Sequence, residues 1–99
     1  MNIYHIVTAG TWREALEYGT YNADTLKNEG FIHCCTLTQI AGVKEMWFKG
    51  ISDLLQLEID PQLLSSDLKY EDSHQTGELF PHIYGPLNLD AVIKVTVCE

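Results

Sequence analysis

Hydrophobic and polar positions alternate in short blocks along the chain, and the period changes several times. Residues 2–8 (Asn-Ile-Tyr-His-Ile-Val-Thr) are rich in β-branched and aromatic types, which predicts a largely buried strand. Thr11, followed three residues later by Glu14, has the form of a capping box and predicts a helix over 12–18. Trp12, Ala15 and Leu16 give that helix one apolar stripe, and Gly19 suits its C-terminal cap. Asn22 or Asp24 is placed to cap a short helix across 23–28, ended by Gly30. Residues 31–36 (Phe-Ile-His-Cys-Cys-Thr) then read as an interior strand. Thr38 precedes a helix over 39–49, in which Ile40, Val43, Met46 and Trp47 recur at helical spacing.

The second half is mostly extended. Residues 53–59 form a nearly continuous apolar strand closed by Asp60-Pro61, with Pro61 suited to open a short helical turn through Leu64. Residues 68–71 read as another strand. Residues 72–78 contain no apolar side chain and read as a loop, in which His74 is solvated. Residues 80–86 (Phe-Pro-His-Ile-Tyr-Gly-Pro) read as an irregular segment held by two prolines. A β-branched strand over 91–98 ends the pattern. There is no repeat, linker or low-complexity run, and the order lacks the regular strand–helix alternation of a doubly wound sheet. The fold class expected is α+β: one compact domain over 1–99, with short helices on a curved, split, mixed sheet.

Composition narrows the function. Ninety-nine residues bury about 65% of the surface of the unfolded chain, enough for a core without disulfides. The net charge of −8, with Arg13 as the single arginine, repels phosphate backbones and anionic lipid surfaces, so neither nucleic acid nor membrane is an expected partner. No apolar run approaches the ~18 residues of a membrane span. The first residues lack the basic start of a signal peptide and read as a strand. Cys34, Cys35 and Cys98 make a poor disulfide framework, because neighbours on a strand face opposite ways. They read as buried free thiols in a reducing cytosol, so the expected location is cytoplasmic.

Candidate chemistry rests on histidines. His33 sits between Ile32 and Cys34 in a strand expected to be buried, so its ring needs partners for both nitrogens. It either satisfies the core or faces a cleft. His82 and Tyr84 project to one side if their segment is extended, forming a wall for a planar ligand or the anchor of a surface loop. Burial is expected to govern His33, and a carboxylate, Glu71, to govern His82. His5 reads as a satisfied core or edge residue. No metal-ligand spacing, glycine-rich phosphate loop or nucleophile elbow is present, so no metal site is expected.

Two motifs go further. Gly30-Phe31-Ile32-His33, followed by Thr36 and Gln39, and Phe80-Pro81-His82-Ile83-Tyr84-Gly85-Pro86-Leu87 resemble a family of small bacterial proteins, domain-of-unknown-function family 952. The likeness extends to the opening Ile3-Tyr4-His5-Ile6, to Asp53-Leu54-Leu55, to Leu68-Lys69-Tyr70-Glu71 and to Leu89-Asp90-Ala91-Val92. Tyr70 stands where such sequences often carry tryptophan, and Cys34-Cys35 where they often carry an aliphatic residue and serine. The resemblance implies a fold like that of ADP-ribosyltransferases, with a cleft for NAD or a related nucleotide. It gives His33 and Thr36 the ribose and Tyr84 the stacking role; the best candidate for the catalytic carboxylate is Glu71, although it precedes Tyr84, the reverse of the order in those enzymes. The only acids after Tyr84 are Asp90 and Glu99, neither in a recognisable catalytic motif. The single arginine also differs from the arginine-rich RNA 2′-phosphotransferases of that fold. Two classes therefore stand: a ribosyl- or nucleotide-binding protein, or a non-enzymatic interaction domain whose histidines satisfy the core. Oligomeric state is not legible.

Overall fold

A computed structural model describes residues 1–72 and 75–98; His74 and Glu99 lie outside them. The strands are β1 (Ile3–Thr8), β2 (Thr20–Tyr21), β3 (Ile32–His33), β4 (Leu54–Ile59), β5 (Asp67–Glu71), β6 (Phe80–Tyr84), β7 (Leu87–Asn88) and β8 (Val92–Val97). The helices are α1 (Ala9–Tyr18), α2 (Asp24–Glu29) and α3 (Ile40–Trp47), with single 3₁₀ turns at Leu37–Gln39, Pro61–Leu63 and Leu89–Ala91. The strands group as β1-β4-β8, β2-β7 and β3-β6-β5. Every described pairing is antiparallel, so the expected mixed sheet is in fact a set of small antiparallel ones. Tyr4 and Cys35 exchange reciprocal backbone hydrogen bonds of 2.7 and 2.8 Å, which tie β1 to the chain just beyond β3.

The core follows from the strand period. Ile3 and Val7 of β1, Leu57 and Ile59 of β4, Ile32 of β3 and Ile83 of β6 meet Trp12 and Ala15 of α1, together with Tyr21, Cys34, Leu87 and Ala91. Truncating one of the fully buried aliphatics removes both transfer energy and packing. Cys34 and Cys35 are buried free thiols, and burial pushes Cys35 up to about 12. Neither is a thiolate at neutral pH.

Local expectations fail where a competing cap or an open surface intervenes. Thr8, not Thr11, caps α1: its hydroxyl accepts from the Thr11 N–H, and the helix begins at residue 9. Leu16 is exposed, so the buried stripe of α1 is narrower than its spacing implies. The residue before α2 is Ala23, which has no side-chain cap, so neither Asn22 nor Asp24 caps that helix. Thr36 rather than Thr38 starts the third helical region, forming a capping box with Gln39. No residue of α3 is fully buried, and Met46 and Trp47 lie largely exposed. Residues 80–84 are not irregular but form the central strand of their sheet, despite Pro81. The Pro81 carbonyl still accepts from the Cys34 N–H at 3.0 Å, prolonging the β3-β6 pairing by one bond. At the end of the other sheet, β8 pairs with β4 on one side and carries Ile93, Val95 and Val97 exposed.

Candidate functional site

The register of β3-β6-β5 assembles the chemistry. Ile32 pairs with Ile83 and Ile83 with Leu68, which puts apolar side chains on the core face. The alternation therefore places His33, His82 and Lys69, which are also mutual partners in register, on the opposite face. Phe31, Phe80, Tyr84 and Glu71, each two residues along, share that face by the same period.

The His33 and His82 rings lie 5.3 Å apart, edge to face. Phe31 stacks on His82 with ring centres 4.1 Å apart and planes 19° from parallel, and it also contacts His33 and Tyr84. The His82 Nδ1–H donates to Glu71 Oε1 at 3.0 Å, and the Tyr84 hydroxyl donates to the same oxygen. Those two hydrogen bonds, Tyr84's first, hold the Glu71 carboxyl below its usual range, and the carboxylate in turn raises the Tyr84 phenol. The Lys69 ammonium sits 4.9 Å from the Tyr84 ring centre, a cation–π contact.

Glu71 meets His82 as expected, but burial falls on His82 rather than on His33. His82 is 1% exposed, whereas the His33 side chain is 35% exposed and lies 3.2 Å from both Glu29 oxygens through Nε2. His82 is sealed by its aromatic neighbours, and His33 lies at the rim beside the end of α2. Among the described residues the His82 Nε2 is buried without a hydrogen-bond partner. Leaving such a buried polar atom unsatisfied costs roughly 1–3 kcal/mol. His5 shows the satisfied alternative: its Nδ1–H donates to the His33 carbonyl at 2.6 Å, and its Nε2 accepts from the Tyr21 hydroxyl at 2.8 Å. Burial lowers His5 to about 4, so the ring is neutral.

His33, His82, Tyr84 and Glu71 are thus brought together. Thr36 is engaged elsewhere, its side chain in the capping box and 3.3 Å from the Thr38 hydroxyl. Phe31, Glu29 and Lys69 were not singled out from sequence. Phe31 was within reach, because Phe31 and His33 stand two apart on a strand as His82 and Tyr84 do. Glu29 and Lys69 needed the helix end and the register. Two concavities lie elsewhere. An open groove of about 890 Å³ is lined by His5, Thr11, Glu14, Tyr18, Tyr21 and Asp24 among others, and a hollow of about 190 Å³ lies between α3 and Phe80. None of Phe31, His33, Glu71, His82 and Tyr84 lines either of them. Among the described residues no group of three or more potential ligands is placed to hold a metal.

An antiparallel α+β fold with two histidine motifs on one sheet face defines a class of small protein without an assigned activity. The chain belongs to the family described as Protein of unknown function (DUF952), whose profile matches residues 6–95. It is similar to protein CC0527 from Caulobacter crescentus. The crystal structure of that protein shares 31% identity over 97% of this chain and 84% of that one, with a TM-score of 0.88. The solution NMR structure of CC0527 gives 30% identity, 99% and 84% coverage, and a TM-score of 0.85. Among curated proteins none is significantly similar.

Proposed function

We propose that the outer face of β3-β6-β5 binds a ribosyl compound or nucleotide, NAD included, in a bacterial cytoplasm. The observation that carries this reading is the contrast between two imidazoles, one half-buried and one sealed. His5 has both nitrogens partnered, as a purely structural histidine should. His82 has one nitrogen fixed by a carboxylate and the other buried without a partner among the described residues. Unsatisfied buried polar atoms are retained where a site has use for them. The choice of ligand follows the resemblance of the family's fold to that of ADP-ribosyltransferases, in which a strand-borne histidine holds the nicotinamide ribose.

In this reading His33, His82 and Tyr84 form the wall, and Phe31 lies over it. Lys69 supplies the positive charge that a phosphate-bearing compound needs on a protein of net charge −8. Glu71 orients His82, and it is the carboxylate available to a glycosyl-transfer step. Calorimetric titration of NAD and ADP-ribose into the native chain and into His33→Ala is the test. Binding by the native chain, weakened by about tenfold in the variant, is expected for loss of one polar contact and one ring wall. Equal and negligible heats from both proteins at millimolar ligand would overturn the reading in favour of an interaction domain.

A further inference from the structure

Resting on the ribosyl reading, we infer that the His82 Nε2 atom is an acceptor kept for a ligand hydroxyl, with Phe31 as its displaceable cover. The bond from Nδ1 to Glu71 Oε1 fixes the tautomer. A carboxylate only accepts, so Nδ1 carries the proton, and in the neutral ring Nε2 presents a lone pair. Tyr84 donates to the same Glu71 oxygen and holds the carboxylate in place from its second side. A lone pair repels an anion, so the ligand atom that meets Nε2 is a donor. On a ribosyl compound that donor is a ring hydroxyl. The phosphate is directed instead toward Lys69, the register partner of His82.

The cover is equally specific. Phe31 lies nearly parallel to the His82 ring at 4.1 Å, the place and tilt that a flat ligand would take. It is only partly buried and does not belong to the core cluster. It directly follows Gly30, which ends α2 in the left-handed conformation at φ 88°. Turning Phe31 aside breaks ring contacts with His82, His33 and Tyr84, and leaves the core packing of Ile32 untouched. A bound ring restores the lost stacking, and its hydroxyl supplies the missing hydrogen bond.

The test uses the native chain, ¹⁵N-labelled, at pH 8, with long-range proton–nitrogen correlation of the imidazoles. In the free protein His82 should show a protonated Nδ1 and a bare Nε2. Ribose 5-phosphate should move the Nε2 signal upfield and leave Nδ1 in place. Tetrahydrofurfuryl phosphate, the same ring and phosphate without ring hydroxyls, should leave Nε2 unmoved and bind about tenfold more weakly. Phe31→Ala should raise the rate at which diethyl pyrocarbonate modifies His82 by tenfold or more, read by peptide mass. An Nε2 already protonated in the free protein overturns the inference, and equal modification rates overturn the cover. Binding of ADP-ribose with Nε2 unmoved removes this inference and leaves the ribosyl reading standing. An Nε2 shift with glycerol, in a protein that ignores ADP-ribose, supports the hydroxyl contact and removes the ribosyl reading.

Discussion

Two histidines show how much one hydrogen-bond partner decides. Burial holds His5 neutral down to about 4, compared with an unfolded value of 6.5, against the opposing pull of its hydrogen bond to the His33 carbonyl. The unfolded chain therefore binds a proton that the folded one refuses, and stability falls as pH drops from 6.5 toward 4. The loss is up to about 3 kcal/mol across that window. Glu71 acts lower on the scale. Its folded value is depressed, so its contribution is present above the usual 4.5 and is lost as pH falls through the depressed value. Urea denaturation of the native chain between pH 7 and pH 4 should give a midpoint that declines steadily, and His5→Gln should flatten that decline. An unchanged slope in the variant would assign the pH dependence to other groups. Much of the site was legible residue by residue. That His82 and Tyr84 share a side follows from strand alternation, and the Glu71 partnership was open to reading from charge. Which histidine is buried was not legible. Ile32 and Cys34 flank His33 with apolar bulk, but they point to the other side of the strand.

At the level of elements, the long periodic strands were readable from sequence to within about a residue, the strand expected over 31–36 narrows to Ile32–His33, and two further two-residue strands were not legible. Thr20–Tyr21 and Leu87–Asn88 pair only with each other, through side chains too few to show a period. Residues 80–84 misled for a different reason: proline in a central strand runs against the usual rule, and here the register leaves its carbonyl to do the bonding. The turn that leaves this strand is set by close approach. A methyl group on Gly85 would run into the Ser66 hydroxyl, which donates to the Pro86 carbonyl at 2.8 Å. Gly85→Ala should therefore destabilise the fold by about 1–3 kcal/mol, as overpacking does. Thermal unfolding checks this, and Ser66→Gly in the same chain should recover part of the loss by making room. No recovery would place the cost in the backbone of the turn.

For the molecule as a whole, twelve buried residues from both halves of the chain close a single core, and the fold persists in the Caulobacter relative at 31% identity. Hydrophobic periodicity records such a core well, because burial repeats along every strand. It does not record which apolar rows stay outside, and β8 is one of them: Ile93, Val95 and Val97 are exposed on the last strand of their sheet. An open, β-branched terminal strand is a template for stacking one molecule on the next. What opposes this near neutrality is the charge of −8, and that repulsion disappears toward the isoelectric point near 4.7. Colloidal stability is thus tied to acidity through one strand. Turbidity should rise sharply between pH 5.5 and 4.7 in roughly the way expected of an unguarded edge, and Val97→Lys, a gatekeeper charge on the exposed row, should suppress it. Equal turbidity in the two proteins would move the sticky surface elsewhere. The strand that completes the sheet thus also sets the range of acidity in which the protein stays in solution.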